Sequence, residues 1–354
     1  MNCAIIGLPQ SGKSTLFAAA TGMSPSPGEM PHMKRATVSV PDDRVPRLAE
    51  MFGSKKVTYA AIEFWDFPGF SLGDAHGRDL FRRSVPEIRN ADSLIVVLRA
   101  FENDAVPPYR DRVDPAADLE EVWHELVFGD LETVTNRVEK LEKALIKPTR
   151  HDLEKRELAV LQKCQHALEN EQPISTVLTG TTEEVGLLAS FSFLTEKPLI
   201  VVYNVSEDRA AESADAPPKH ARASVKLSAE VEAEIAQLDE SDRGTFLADL
   251  GLAEPARDRM IHAAYQAMGY ITFLTAGPTE ARAWSAPKGR TALEAAGRVH
   301  SDLARGFIRA ETIHFDEMAV IGDYKAAKAA GKVRQEGKTY VVQDGDVMLI
   351  KFNV

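Results

Sequence analysis

Residues 7–14 read GLPQSGKS and fit the pattern G-x-x-x-x-G-K-[ST]. That spacing suits one chemistry. Two glycines let the backbone wrap around phosphate oxygens, a lysine neutralises the outer phosphates, and a hydroxyl at the start of the next helix is offered to Mg²⁺. The run follows the apolar stretch CAIIG and precedes KSTLFAAA, so it sits where a strand gives way to a helix whose N-terminus favours anions. The expected nucleotide-binding residues here are Gln10, Ser11, Gly12, Lys13, Ser14 and Thr15. Lys13 acts on the β/γ oxygens and Ser14 on the metal.

Two further motifs fit the same chemistry. WDFPG, residues 65–69, supplies D-x-x-G: Asp66 would hold Mg²⁺ through water, and the Gly69 N–H would sense a γ-phosphate. Lys13, Asp66 and Gly69 are therefore the expected catalytic set, with Ser14 and Asp66 at the metal. Ras-like enzymes place a water-orienting Gln directly after this glycine. Phe70 stands there instead and cannot orient water. YNVSED, residues 203–208, has the outline of the guanine-reading N-K-x-D with two changes, since Val205 replaces the lysine and Glu207 the aspartate. The extra methylene of Glu207 spoils bidentate acceptance from guanine N1–H and N2–H₂, whereas Asn204 and loop backbone can meet the N6 donor and ring acceptors of adenine. Asn204, Val205 and Glu207 thus form the expected base-reading group, and ATP is favoured over GTP.

To bring these motifs together the chain needs a sheet whose strands end on one rim. Five apolar runs (residues 3–7, 36–40, 60–66, 93–100 and 198–204) alternate with helical patterns, the signature of strands buried on both faces of a mostly parallel sheet. Between the fourth and fifth runs, Leu131, Val134, Val138, Leu141 and Leu145 recur at spacings of three and four, and Leu153, Leu158, Leu161 and Leu168 resume the pattern after IKPTR. This reads as an inserted antiparallel helical hairpin. After residue 270 strands mix with a helix near 291–300, and QDGD between TYVV and VMLIKF reads as a hairpin turn. The expected fold class is α/β: a P-loop domain over 1–112 and 196–269, a helical insertion over 113–195, and a C-terminal α+β domain over 270–354.

Composition narrows the partners. The 354 residues carry a net charge of −11, with 44% hydrophobic and 27% charged residues. Such acidity disfavours nonspecific coating of nucleic acid, and nothing here reads as a reader of DNA sequence. Residues 143–156 are an exception, because Lys143, Lys147, Arg150, Lys155 and Arg156 outnumber Asp152 and Glu154. They are either a solvated helical tip or a surface for a polyanion such as rRNA. No apolar run reaches membrane-spanning length, and the chain opens directly on NCAIIG with no basic leader, so a cytoplasmic protein is expected. Cys3 and Cys164 read as buried small hydrophobes.

The chain resembles the YchF, or Obg-like ATPase, family nearly end to end. GLPQSGKSTLF, NVSED, DLETVTNRVEKLEK, EAEIAQL, FLADLGL, TAGPTEARAW, GFIRAE and the terminal VQDGDVM…FNV carry the likeness, the last segments matching that family's TGS domain. The resemblance implies slow, Mg²⁺-dependent ATP hydrolysis by a ribosome-associated switch in translation or stress regulation, with an apolar residue normal at the Phe70 position. Ribosome or rRNA contact is then expected through residues 143–156 and the C-terminal domain. A nucleotide-sensing adaptor that does not hydrolyse, and a GTPase of translation-factor type using LSAE at 227–230, are the alternatives.

Three departures from the family bear on turnover. MPHMKRATVSVPD is about four residues shorter than the family's first switch and lacks its threonine, Thr37 falling in the following strand. The second switch, GFSLGDAHGRDLFRR, loses later glycines. Pro108 stands where the family carries a histidine implied to position the attacking water. His76, Arg82 and Arg83 lie near enough in sequence to substitute, although each also reads as an ordinary solvated residue. Trp284 reads as core of the C-terminal domain or, beside Arg282, as a stacking platform for a base.

Overall fold

The computed structural model describes residues 1–23, 33–146, 152–178, 182–214, 216–252 and 254–353. In chain order, the first elements are β1 (Asn2–Ile6), α1 (Lys13–Thr21), β2 (Lys34–Ser39), α2 (Arg44–Phe52), β3 (Val57–Thr58), β4 (Ala61–Asp66), α3 (Ala75–Ile88) and β5 (Ser93–Ala100). Next come the long helices α4 (Pro115–Leu145) and α5 (Asp152–Glu169), then α6 (Thr182–Leu188), β6 (Leu199–Val205), β7 (Ala223–Leu227), α7 (Ala229–Gln237), α8 (Glu240–Asp249) and α9 (Ala256–Ala267). The chain closes with β8 (Tyr270–Ala276), β9 (Ala281–Pro287), α10 (Ala292–Val299), α11 (Ser301–Arg305), β10 (Phe307–His314), α12 (Phe315–Ile321), α13 (Tyr324–Ala329), β11 (Arg334–Glu336) and β12 (Asp346–Phe352).

The chain separates into two compact units, residues 1–36 with 63–260, and residues 37–62 with 261–354. The first sheet has the order β2-β4-β1-β5-β6-β7. The pairings β4–β1, β1–β5, β5–β6 and β6–β7 are parallel, as the continuous apolar runs predict. Strand order reverses beside β1, and in open α/β sheets ligands bind at the carboxyl ends of strands at such a point.

In the first unit the helical insertion shares its core with the sheet. One cluster runs through Ile6, Leu8, Phe67 and Phe70 to Val122, Val134, Leu141 and Leu161. Asp114 caps α4, accepting from the Ala117 N–H at 3.1 Å, with Pro115 in the first turn. The predicted seam is largely real: Val134 and Leu141 are buried and Leu131 partly so, but Leu153 is exposed because it lies at the first turn of α5. Asp130, fully buried on α4, pairs with Arg89 at 2.8 Å. The same carboxylate accepts from the backbone N–H groups of Leu194 and Thr195 at 3.0 and 2.8 Å. Cys3 and Cys164 are both buried and free.

The second unit carries a sheet of order β11-β10-β12-β8-β9-β3. It includes residues 37–62, which the sequence pattern assigned to the P-loop part. Val57 and Thr58 pair in parallel with Ala281 and Arg282, and the Ser54 hydroxyl donates to the Gly277 carbonyl. The unit also begins at Ile261 rather than at 270, because Tyr265 hydrogen-bonds the Ile271 carbonyl and Thr272. The expected hairpin around QDGD does not form. β12 pairs antiparallel with β10 and parallel with β8, while Val341 makes only a single bridge to Thr291. The turn's acids are engaged elsewhere, Asp344 accepting from the Thr272 N–H at 2.7 Å and Asp346 from the Tyr340 hydroxyl at 2.8 Å. The helix expected near 291–300 is α10, opened by a capping box of Thr291 and Glu294. Trp284 is half-buried against this unit's core. Its Nε1 donates to Thr275, and the Arg282 guanidinium lies 4.0 Å above its ring.

Candidate nucleotide-binding site

The loop between β1 and α1 is bound tightly to its surroundings. Gln10 takes a left-handed φ of 60°, uncommon for a residue with a Cβ, and Gly12 at φ 91° leads into α1. Ser11 and Lys13 are buried; Ser14 and Thr15 at the helix start are exposed. The Lys13 ammonium folds over the loop and donates to the Leu8 carbonyl at 2.7 Å, with the Ser11 hydroxyl at 3.4 Å. Burial holds its pKa down at about 8, partly countered by the charge of Asp66.

Asp66 ends β4 and is buried. Burial pushes its carboxyl up, against a hydrogen bond from Ser14 and the charges of Lys13 and Lys34. Its Oδ1 has no hydrogen-bond partner. An orphaned carboxylate oxygen in a buried setting is costly unless something positive meets it. Ser14 and Asp66 together offer the hard oxygen ligands Mg²⁺ prefers, with the remaining positions left to water and phosphate. Among the described residues no cluster of three or more His, Cys, Asp or Glu could hold a metal ion. Replacing Asp66 with Asn keeps the shape and removes the charge. The Mg²⁺-dependent gain in nucleotide affinity is expected to fall about tenfold or more, measured as the ratio of affinities with Mg²⁺ and with EDTA.

Gly69 lies against the phosphate loop. A Cβ there would stand 2.9 Å from Pro9 Cα and 3.1 Å from Lys13 Nζ, so only glycine lets this segment approach the lysine. Phe70, next in the chain, turns into the core and meets Phe81 edge to face at 5.0 Å. The structure thus brings Ser11, Gly12, Lys13, Ser14, Asp66 and Gly69 to one rim.

Asn204 joins them, but differently from expectation. Its side chain is buried, its Nδ2 donates to the Ser11 carbonyl at 3.0 Å, and its Oδ1 accepts from the Ala229 N–H at 2.9 Å. One lone pair of the amide oxygen is used by the protein and one N–H by the loop, so one N–H and one lone pair remain. Val205 is buried in β6, where its side chain belongs to the core rather than lying along a base. Glu207 is exposed in the turn after β6. Ala229, within the LSAE run, and Arg99 also tie the site together. Ala229 follows Ser228, the cap of α7, and braces Asn204. Arg99 is the lone charge in an apolar strand, a signal that was visible. It is buried, donating to the carbonyls of Phe101 and Val106 at 3.1 and 2.7 Å, and its Nη1 lies 3.5 Å from the Gln10 carbonyl.

The other candidates are exposed or engaged with neighbours of their own. His76 lies in the exposed first turn of α3; Arg82 stacks on Phe128 and Arg83 pairs with Asp79 at 2.6 Å. Thr37 is exposed on β2. Residues 24–32, which include Met30, Pro31 and His32 at the start of the first-switch segment, and residues 147–151, which include Lys147 and Arg150 of the helical tip, lie outside the described residues. Lys143 pairs with Glu139 at 3.5 Å. No helix among the described residues is long and apolar enough to cross a membrane.

A strand-loop-helix phosphate cradle, an acid ending the neighbouring strand, a close-packed glycine after it and an asparagine clamping the loop define a P-loop nucleotide-binding protein of the GTPase type. Residues 2–146 match a family model described as 50S ribosome-binding GTPase, and residues 270–353 match YchF-GTPase_C, described as a protein of unknown function (DUF933). The chain belongs to the YchF family. It is 39% identical to the Ribosome-binding ATPase YchF of Bacillus subtilis, with all of both chains covered. It is 38% identical to the protein of that name in Escherichia coli O157:H7, with 99% of each covered. A solved structure titled as the Schizosaccharomyces pombe YchF GTPase overlays with a TM-score of 0.81 at 25% identity, covering 99% of this chain and 97% of that one.

Proposed function

We propose that this chain binds ATP with Mg²⁺, hydrolyses it slowly, and acts in the cytoplasm as a ribosome-associated switch. Contact with the ribosome would run through the helical tip at 143–156 and the TGS-like C-terminal domain. The observation that carries the reading is the buried, partnerless Asp66 Oδ1 beside Ser14 and Lys13, a site already arranged for a metal-bound phosphate chain. Relatives named as ribosome-binding ATPases support the partner and the nucleotide. Adenine is favoured because the acid at the guanine-reading position is the longer Glu207, and because the lysine that would line the base is replaced by a buried Val205. Bound Mg²⁺ would neutralise charge on the phosphates; the chain's own part is to hold them with loop N–H groups, Lys13 and the Gly69 N–H.

The test compares binding of ATP, ADP, GTP and GDP with and without Mg²⁺, followed by single-turnover hydrolysis and sedimentation with ribosomes. GTP binding as tightly as ATP, or no ATP binding, would defeat the proposal. A second reading, a nucleotide-sensing adaptor without useful turnover, gains support from Pro108, which stands where the family resemblance implies a water-positioning histidine. Phosphate release no faster than in a Lys13→Ala control would decide for it.

The low pKa of Lys13 gives a pH signature. Phosphate charge raises the lysine's pKa, so binding below about pH 8 finds it already charged, whereas binding above that must draw a proton from solution. ATP affinity is therefore expected to be flat up to about pH 8 and to weaken above it, approaching tenfold per pH unit. Calorimetry in buffers of different ionisation enthalpy would read both the trend and the proton uptake.

A further inference from the structure

The segment after Gly69 is held from outside by a residue that the P-loop chemistry does not use. The Gly73 N–H donates to the Tyr109 hydroxyl at 2.8 Å, and that hydroxyl donates in turn to Glu121 Oε1 on α4 at 3.0 Å. Arg110 Nη2 donates to the same carboxylate oxygen at 2.8 Å. The approach is close, since a Cβ on Gly73 would lie 3.1 Å from the Tyr109 hydroxyl and 3.2 Å from Arg110 Nη2.

The backbone that delivers Tyr109 is itself unusual. Arg110 and Asp111 both adopt left-handed φ values, 55° and 53°, without being glycine. Such conformations persist only where the surroundings fix them, and the Arg110–Glu121 pair at 2.8 Å lies within this turn's surroundings. Upstream, Arg99 ties the same loop, through the Val106 carbonyl, to the neighbourhood of the Gln10 carbonyl in the phosphate loop. Phe70 and Leu72 are buried and Asp74 caps α3, so between Gly69 and α3 the Gly73 N–H is the point at which a distant side chain grips the segment.

We propose that Tyr109 is the positioning residue for residues 69–74, setting the Gly69 N–H for the γ-phosphate and coupling that segment through Glu121 to the root of α4. It stands immediately after Pro108, in the loop where a water-positioning group would otherwise be sought. It acts through Gly73 and has no contact with reacting atoms. The inference rests on the proposed nucleotide chemistry, and its test is chosen to stand apart from it.

In Tyr109→Phe the ring stays and the hydroxyl goes. The ATP dissociation constant is expected to stay within about twofold while the single-turnover rate falls about tenfold, the size of one lost hydrogen bond. Amide exchange at Gly73 should accelerate with ATP bound. Glu121→Gln keeps an acceptor and is expected to give a smaller change in the same direction. Unchanged exchange at Gly73 in Tyr109→Phe would overturn the proposal, as would a rate loss that merely follows a loss of affinity and melting temperature. Should the wild-type chain release phosphate no faster than Lys13→Ala, hydrolysis is refuted, and the exchange measurement alone still decides whether Tyr109 holds this segment.

Discussion

Gly12→Ala is expected to lower ATP affinity by about 100-fold or more, close to 3 kcal/mol, while leaving a folded protein. Two causes combine. The added Cβ would sit 2.1 Å from Asn204 Nδ2, so the amide must leave the Ser11 carbonyl or the phosphate loop must shift; in addition, φ 91° is a conformation L side chains rarely adopt. Gly22→Ala separates the causes, since Gly22 has φ 71° but no described atom within 4 Å of its would-be Cβ. That variant should lose about 1 kcal/mol of stability and keep its affinity. Calorimetric titration with ATP beside thermal melts reads both. Equal affinities for Gly12→Ala and the wild type would show that Asn204 does not hold the loop.

Asp130→Ala is expected to destabilise the first unit by about 3–5 kcal/mol. Removing the carboxylate leaves Arg89, only 13% exposed, without its ion-pair partner, and strips the Leu194 and Thr195 N–H groups of their acceptor. A buried ion pair adds little compared with apolar residues of the same shape, but losing one half is expensive because the other half stays desolvated. Asp130→Asn should fall between, retaining an acceptor and losing the charge. Urea denaturation gives the free energies. A loss below about 1 kcal/mol would mean that the other acceptors of Arg89, the Phe191, Ser192 and Gly129 carbonyls and the Thr133 hydroxyl, suffice to hold its charge.

The phosphate-binding part of the site was legible because its chemistry is local. GLPQSGKS needs only a strand before it and a helix after it, and both are written in neighbouring residues. The helical insertion was legible for the same reason, its seam repeating every three and four residues. The base-reading group was legible by type, and the protein partners of its asparagine were not. Asn204 serves Ser11 and Ala229, 193 and 25 residues away in sequence, and no spacing within YNVSED announces those partners. The QDGD hairpin failed similarly. Local turn chemistry was present, but Asp344 and Asp346 found stronger partners at Thr272 and Tyr340, and β12 took β10 and β8 as neighbours.

By itself the sequence determined the α/β class, the phosphate loop, the order of the motifs and the family resemblance, all of which depend on residue type and short-range period. Tertiary structure alone decided three other things. Residues 37–62 group with the second compact unit, β3 completing the edge of its sheet beside Ala281 and Arg282. Asp66 keeps one buried oxygen without a protein partner. A tyrosine hydroxyl reaches Gly73, 36 residues earlier in the chain. Each depends on which distant groups meet and how far water is excluded from them, and that is settled only when the sheet and helices close around the site.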